Sequence, residues 1–238
     1  MPNEVNLYFT GWRSGNLSTP SVALSCFSNG APEAGESVCG VFRNISGILP
    51  TSFSVSLQSF YKTVASGTDP KGRRSYTKNT FLYQLDRWTI RAIRRALERS
   101  PITDFKYNTG RLNLYWTGGA VLDQERNATA FVHRSYPWNA VWLSSWVSGD
   151  KSKAYHDWIK RTYNSMLDYS VPEAYQNYQD DELDNWEQMY YAENYPRLRE
   201  IKSLYDPTNY FSYLQSIRPV ESDNIVTYDI DEEYEPEY

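Results

Sequence analysis

Four short stretches of this chain alternate apolar and polar residues, and this alternation is the strongest constraint on the fold. Side chains two positions apart lie on the same face of a β-strand, so each stretch predicts a strand with one buried face. Gly-Asn and Asn-Gly pairs near the first two stretches are typical of turns. The alternating residues are Val5, Leu7 and Phe9, then Val22, Leu24 and Cys26, then Leu112, Leu114 and Trp116, and finally Val141, Leu143 and Ser145.

Other parts of the chain have the periodicity of helices. The clearest helix is predicted over 85–99, where apolar residues, Trp88 among them, recur every three or four positions. A second is predicted over 154–167. Strands that come first, followed by helices interleaved with further strands, predict an α+β fold, in which an antiparallel sheet carries helices on one face. Shorter helices are predicted over 33–45, 182–191 and 195–204.

The remaining segments are polar. Residues 66–74 are predicted to form a loop, and the acidic stretch after Pro219 lacks a periodic apolar face. Such a stretch is typical of a disordered tail or a docking tail. We therefore predict an α+β region over 1–170, a C-terminal segment over 171–219 and a disordered acidic tail over 220–238.

Bulk properties exclude some classes of protein. The net charge of −5 argues against nucleic-acid binding, which needs a basic face. No apolar run is long enough to span a membrane, and the N-terminal residues show no signal peptide, so a cytoplasmic location is the default expectation. The two cysteines, Cys26 and Cys39, are either one disulfide or two buried thiols.

Charged residues and histidines give few candidates for a site. The arginines of the predicted 85–99 helix are expected to form a solvated face, because the chain as a whole is acidic. His133 is expected to be structural and His156 to lie on the surface. Their spacing does not suit a metal site, so none is predicted.

Two places carry residues suited to acid–base chemistry. Asp123 follows the pair Gly118-Gly119, and it is either a general base with a pKa raised by burial or an ordinary turn aspartate. In the second place, extended backbone would put Tyr175 and Asn177 on one face and Tyr178 on the other. A phenol beside an amide can bind a ligand carbonyl or, with a lowered pKa, accept a proton. The alternative is a tyrosine-rich edge strand.

Several blocks resemble, in order, the C-terminal half of the berberine bridge enzyme-like oxidases, a branch of the oxygen-dependent FAD-linked oxidoreductases. The first block is similar to the one at the start of the family's substrate-domain helix. The next two are similar to its Gly-Gly strand with the following histidine and arginine, and to its Tyr-x-Asn-Tyr strand. The blocks are GRRSYTKNTFL at 72–82, TGGAVLDQERNATAFVHR at 117–134, AYQNYQD at 174–180 and YYAENYPRLREIKSLYDPTNYFSYLQSI at 190–217.

This resemblance implies a fold, a cofactor and roles for individual residues. In the family, an N-terminal half binds FAD, and the second half supplies an α+β substrate domain whose C-terminal segment returns to the FAD domain. The flavin takes a hydride from the substrate and oxygen reoxidises it. The resemblance makes Tyr178 a candidate phenolic base and Asp123 a candidate base where plant relatives have glutamate. It places Tyr175, Asn177 and Asn209 at the flavin.

Nothing in this sequence resembles the family's FAD domain, so three hypotheses stay open. The first is a truncated or split FAD-linked oxidoreductase of secondary metabolism, which takes a small natural-product substrate and binds FAD only with a missing or separate FAD-domain partner chain. The second is a flavin-independent cyclase or isomerase that uses the same cavity. The third is a non-catalytic partner protein or remnant. Hydride transfer needs the cofactor, and the protein orients and tunes it.

Overall fold

A computed structural model describes residues 5–15, 19–28, 32–44, 72–104, 108–147 and 152–220. Its centre is a six-stranded antiparallel sheet with the strand order β2-β1-β4-β5-β3-β6. The four alternating stretches all form strands of this sheet. The strands are β1 (Val5–Trp12), β2 (Ser21–Ser28), β3 (Arg74–Leu82), β4 (Thr109–Trp116), β5 (Trp138–Trp146) and β6 (Ser170–Val171).

Among the described residues, five α-helices accompany the sheet, so the predicted α+β class with helices packed on one sheet face is confirmed. Short 3-10 segments occur at Val41–Asn44, Gly119–Val121, Leu167–Tyr169 and Ala192–Asn194. No helix among the described residues has the length and apolar character needed to cross a membrane. The helices are α1 (Pro32–Gly40), α2 (Arg87–Glu98), α3 (Ser152–Met166), α4 (Trp186–Tyr191) and α5 (Tyr195–Tyr205).

The main core lies between one face of the sheet and helices α2 and α3. Residues at alternate positions of the strands point into it, as their spacing predicts. The indole N–H of Trp158 on α3 donates to the carbonyl of Ala96 on α2, 3.0 Å away, so the two helices are also joined by a buried hydrogen bond. The buried members of this main core are Leu82, Ala96, Leu97, Leu112, Leu114, Ala140, Trp142, Trp158, Ile159 and Met166.

Strand β3 corrects the interpretation of its sequence block. Residues 72–82 resemble the start of a helix, but they form a turn at Gly72 and then a strand that pairs with β5 and β6. Lys78, Asn79 and Thr80 are consecutive and all buried. Since both faces of the strand are covered, its sequence shows no alternation, which explains why it was missed. Residues 66–71 of the predicted loop lie outside the described residues.

Helix α2 begins where its sequence places an N-cap. Oδ1 of Asp86 accepts the backbone N–H groups of Trp88 and Thr89, at 2.9 and 2.8 Å. The prediction that Trp88 belongs to the buried face is wrong, because its side chain is 50% exposed. The arginines of this helix are all exposed, as expected for a solvated face.

The structure resolves the cysteine alternatives, because Cys26 on β2 and Cys39 on α1 form a disulfide. This bond fastens α1 to the edge strand of the sheet. The predicted helix over 33–45 ends as a helix at Gly40 and continues as a 3-10 segment. Val41, the first residue of this 3-10 segment, is 65% exposed.

A second, smaller core forms in the C-terminal part. It brings Ala174 together with helix α4, and Leu198 and Ile217 pack against it. The predicted 182–191 helix begins only at Trp186, and residues 181–185 before it are mostly turns. The predicted tail after residue 220 lies outside the described residues. The buried members of this second core are Ala174, Trp186, Met189, Tyr190 and Tyr191.

Candidate functional site

The sheet face opposite α2 and α3 is polar at its centre. Asn113 on β4 and Asn79 on β3 both lie opposite Val141 of β5, so all three share one row across the sheet. In the next row, Tyr115 lies opposite Asn139. The three asparagines are buried. Buried amides need hydrogen-bond partners, and these partners define the site.

Two groups of hydrogen bonds satisfy this polar row. On β1 and β4, the Thr10 hydroxyl donates to Oδ1 of Asn113, and Nδ2 of Asn113 donates to the hydroxyl of Tyr115, each at 3.3 Å. On β3 and β5, Nδ2 of Asn79 donates to the carbonyl of Ala140 at 3.1 Å and to Oδ1 of Asn139. The face is therefore lined by neutral donors and acceptors whose orientations are fixed.

The Tyr-x-Asn-Tyr segment lies on this face and forms a turn, not the extended segment that was expected. The N–H of Tyr178 donates to the carbonyl of Tyr175 at 2.9 Å, and the N–H of Tyr175 donates to Oδ1 of Asn79 at 2.5 Å. Nδ2 of Asn177 donates to the hydroxyl of Tyr175 at 2.8 Å. The turn therefore brings together all three predicted site residues of this segment.

Glu173 holds the N-terminal end of the turn. Its Oε2 lies 2.9 Å from Nδ1 of His133, and its Oε1 lies 2.8 Å from Nη2 of Arg126. The His133 ring is fully buried and stacks on Phe81 with centroids 4.6 Å apart. Burial acts to raise the pKa of Glu173, but the hydrogen bonds from His133 and Arg126 outweigh it, and the pKa is lowered. Glu173 is therefore an ionised anchor, and His133 has the structural position that was expected.

Asp180 holds the other end. Its Oδ2 lies 2.6 Å from Nζ of Lys78, and both side chains are nearly completely buried. The N–H of Asp180 donates to the hydroxyl of Tyr190 at 2.9 Å, and Nε2 of Gln215 donates to the backbone carbonyl of Asp180 at 2.7 Å. A buried ion pair with further hydrogen bonds fixes geometry well, so the turn is held firmly at both ends.

The phenol of Tyr178 is half-buried beside Tyr115. Burial raises the pKa of Tyr178, and the hydrogen bond to Tyr115 raises it further because it favours the protonated phenol. A base needs the opposite shift. In this environment Tyr178 is a neutral proton donor, and it becomes a base only if another group stabilises its phenolate.

The structure places Asp123 in a different setting. It is exposed on a turn directly after the 3-10 segment Gly119–Val121. Gly119 has a φ of 62°, which favours glycine, and its carbonyl accepts the N–H of Leu122 at 2.9 Å. The burial that a general base needs is not present at Asp123. This geometry favours the turn interpretation, and the role of Asp123 as a base stays a prediction.

Asn209 lies in the turn after α5, with a left-handed φ of 52°. Its N–H donates to the carbonyl of Asp206 at 3.0 Å. Its side-chain Oδ1 is buried and has no hydrogen-bond partner among the residues that the structure describes. A buried acceptor of this kind is unusual, and it is a place where a donor from a ligand or another protein part can bind.

Several residues of this face were not predicted from the sequence. Asn113 and Tyr115 alternate with Leu112 and Leu114, so the β4 pattern already places them on the face opposite the core. Asn79 gave no such signal, because its strand lacks alternation.

The segment with the turn also matches a known protein family. Residues 174–218 match the family model described as Berberine and berberine like. These residues therefore form a berberine-like domain. The resemblance stated above is confirmed, and Tyr175, Asn177, Tyr178 and Asn209 all lie inside the matched range.

Two curated relatives illustrate the similarity. An uncharacterized FAD-linked oxidoreductase, YgaK of Bacillus subtilis (strain 168), is 29% identical over 176 residues, which are 74% of this chain and 37% of YgaK. The monolignol oxidoreductase AtBBE-like 13 of Arabidopsis thaliana is 35% identical over 114 residues, which are 42% of this chain and 21% of that protein.

Solved structures share the fold. Berberine bridge enzyme from Eschscholzia californica superposes with a TM-score of 0.76 at 19% identity, over 92% of this chain and 49% of that chain. Aclacinomycin oxidoreductase superposes with a TM-score of 0.73 at 21% identity, over 91% of this chain and 47% of that chain. The chain therefore spans less than half the length of each of these relatives, an extent that fits their C-terminal half.

Proposed function

We propose that this chain supplies the substrate-binding part of an FAD-linked oxidoreductase that acts on a natural product. The observation that carries the proposal is the position of Tyr178. Its phenol lies beside Tyr115 on a rigid polar sheet face, in a turn held at one end by the buried Lys78–Asp180 ion pair and at the other by the contact between Glu173 and His133. A site held this rigidly suits a group that must meet a substrate at a defined place.

In this proposal, three of the chain's own residues hold the flavin. Oδ1 of Asn209 is a buried acceptor whose partner is missing among the described residues, and the amide of Asn177 is exposed. Together with the ring of Tyr175, they offer neutral hydrogen bonds and a flat apolar surface. When bound, FAD would supply the hydride acceptor. In this proposal, the hydroxyls of Tyr178 and Tyr115 orient the substrate, and Tyr178 takes its proton only once another group stabilises the phenolate.

The class of substrate follows from the lining and from the relatives. Neutral amides, hydroxyls and aromatic rings suit an uncharged ring-containing or polyhydroxylated molecule better than an ion. Relatives named as a monolignol oxidoreductase and an aclacinomycin oxidoreductase, and a glycopeptide hexose oxidase in complex with teicoplanin, support a natural product.

An exposed apolar surface supports contact with an FAD-binding half. The end of α5 and the segment after it expose six large apolar side chains, more than a free surface of this size normally carries. The FAD-binding half belongs either to a longer form of this polypeptide or to a second chain. The six residues, each more than 60% exposed, are Leu204, Tyr205, Tyr210, Phe211, Tyr213 and Leu214.

The raised pKa of Tyr178 favours a second candidate function. A buried neutral phenol is a general acid, so the same face could protonate a substrate in a flavin-independent cyclisation or isomerisation. This reaction needs no FAD-binding half. The two candidates therefore differ in whether activity appears in the chain alone.

The test is to produce the chain alone and together with the FAD-binding half of a relative, and to measure flavin absorbance and turnover of a monolignol. The proposal expects flavin and turnover only in the mixture, with turnover reduced ~100-fold or more by Tyr178→Phe. The matched control is Tyr83→Phe, at a residue that is 51% exposed.

Turnover by colourless chain alone would support the cyclase or isomerase. A Tyr178→Phe variant with full activity in the mixture would contradict the role of Tyr178. Asp123→Asn tests the other predicted base in the same assay, and its exposed position leads us to expect activity close to that of the unsubstituted chain.

A further inference from the structure

The charge of this chain is divided unevenly between its body and its last residues. Residues 221–238 contain eight acidic side chains and no basic one. The whole chain has a formal net charge of −5, so removal of these eight negative charges leaves the body at +3. The acidic character that argued against an anionic partner therefore belongs to the tail, and the body has basic charge available for one.

Much of this basic charge is on the outer face of α2. Arg87, Arg91, Arg94 and Arg95 are spaced so that they lie on one side of the helix, and all of them are exposed. Glu98 pairs with Arg94 at 2.8 Å. The side chains of Arg91 and Arg95 make no ion pair or hydrogen bond with the part of the chain that the structure describes.

Apolar side chains lie next to these arginines. Trp88 is 50% exposed and Ile90 is 54% exposed, although α2 buries other residues against the core. The guanidinium of Arg87 lies 4.6 Å from the centroid of the Trp88 ring. Arg87, Trp88, Ile90, Arg91 and Arg94 line a shallow open depression. A solvated face does not need an exposed tryptophan, so this surface has the composition of a binding surface.

The sequence of the tail complements this surface. Its acidic residues alternate with apolar and aromatic ones, as in Tyr228, Ile230 and Tyr234. A segment of this kind offers carboxylates to arginines and rings to an apolar depression. Its 18 residues can extend over about 60 Å, which exceeds the ~45 Å diameter of a domain of this size.

We propose that residues 221–238 dock on the outer face of α2, with their carboxylates on Arg87, Arg91 and Arg95 and an aromatic side chain against Trp88. This surface lies on the far side of the sheet from Tyr178, so the interaction is independent of the function proposed above. The docked tail covers the basic surface of the body and competes with other anionic ligands for it.

Cross-linking with a water-soluble carbodiimide, which joins an amine to a carboxylate, tests the docking in the full chain. Arg91→Lys and Arg95→Lys each keep the charge and introduce an amine. We expect mass spectrometry to find links from positions 91 and 95 to acidic residues of 221–238. Their yield should fall several-fold between about 0.01 M and about 1 M salt, since the Debye length falls from about 30 Å to about 3 Å.

The matched control is Arg161→Lys, which introduces the same amine at an exposed position of α3. Equal link yields from positions 91, 95 and 161, or yields that ignore salt, would overturn the proposal. A mixture of isotopically light and heavy chain identifies the source of the tail. Links only between light and heavy chains would make a second copy the occupant, and the proposal would then be wrong.

A charge-reversed chain with Arg87→Glu, Arg91→Glu and Arg95→Glu provides a second measurement. Because these side chains are exposed, the variant should keep its far-UV circular dichroism spectrum. Proteolysis within residues 221–238 should become several-fold faster than in the unsubstituted chain, and unchanged cleavage would contradict docking. Binding of the full chain to phosphatidylserine vesicles that this variant loses would assign the surface to a membrane and overturn the proposal.

Discussion

Nδ1 of His133 lies 2.9 Å from Oε2 of Glu173, in a contact that joins residues 40 positions apart in the sequence. His133 follows a long surface loop, and Glu173 begins the turn that carries Tyr178. Because the lowered pKa of Glu173 makes it a carboxylate, Nδ1 of His133 carries the proton and donates it. The pair therefore joins the candidate site to the loop before His133. Its removal should lower the stability of the whole C-terminal part.

Glu173→Gln should lower the free energy of unfolding by about 3 kcal/mol or more, because it leaves His133 and Arg126 without their buried anion. Urea denaturation monitored by circular dichroism measures this loss. Glu193→Gln is the matched control, since Glu193 also accepts from Arg126 but its side chain is 52% exposed. The control should cost less than ~1 kcal/mol. Equal losses in the two variants would contradict the importance of burial.

The stabilisation by Glu173 should depend on pH. Its pKa in the folded protein lies below the ordinary value of 4.5, so the carboxylate stabilises the fold above about pH 4.5. As the pH falls through the folded pKa, the carboxylate is protonated in both states and its contribution disappears. The difference in unfolding free energy between the unsubstituted chain and Glu173→Gln should therefore be full at pH 7 and shrink under acid conditions. An equal difference at pH 7 and pH 3 would contradict this assignment.

Tyr115→Phe should lower the pKa of Tyr178. Burial raises this pKa first, and the Tyr115 hydroxyl adds to the rise through a hydrogen bond that favours the protonated phenol. Burial remains in the variant, so the pKa of Tyr178 should fall but stay above its ordinary value of 10.0. The difference in absorbance near ~295 nm between Tyr115→Phe and the double variant Tyr115→Phe/Tyr178→Phe isolates this one phenol. An unchanged or higher pKa would contradict the hydrogen bond.

The sequence predicted those strands and helices that have one buried face and one solvent-exposed face. Strand β4 and helix α3 follow their periodicity, and every residue predicted on the apolar side of α3, such as Trp158 and Met166, is buried. Strand β3 was missed because Lys78 and Asn79 are buried on opposite faces, where an ion pair and an amide replace apolar contacts. Local periodicity carries no information about such long-range polar partners.

For the candidate site too, the sequence identified residues but not the properties that depend on long-range contacts. The resemblance selected Tyr175, Asn177 and Tyr178, and the structure brings them together in one turn. The resemblance could not give the direction of the pKa shift of Tyr178, because that shift depends on burial and on Tyr115, which is 63 positions away in the sequence. Nor could spacing decide whether Asp123 is buried.

Reduction of the disulfide between Cys26 and Cys39 should destabilise the edge of the sheet. The bond closes a loop with a sequence separation of 13 residues, and loops of this size gain about 3 kcal/mol from cross-linking. We expect a lower midpoint of urea unfolding in the reduced chain and in the double variant Cys26→Ser/Cys39→Ser. The control is reductant added to this double variant, which should change nothing. Equal stability of the oxidised and reduced chains would show that the bond does not constrain the unfolded state.

Two tryptophans provide a matched test of the helical layer. Trp158 is 2% exposed between the sheet and α2 and donates to the carbonyl of Ala96, whereas Trp88 is 50% exposed on the outer face of α2. Trp158→Ala should lower the free energy of unfolding by about 3–5 kcal/mol, because it leaves a cavity and removes the buried hydrogen bond to the Ala96 carbonyl.

Trp88→Ala removes the same side chain from the outer face of α2, where it contacts Arg87 and the docked tail proposed above, and should lower the free energy of unfolding by about 1 kcal/mol or less. Urea denaturation of both variants at the same pH measures the two values. If Trp88→Ala proved as destabilising as Trp158→Ala, the outer face of α2 would be packed as closely as the main core, which a docked tail does not require. Its exposed tryptophan would then be part of a core, and the periodicity that predicted a buried Trp88 would be right.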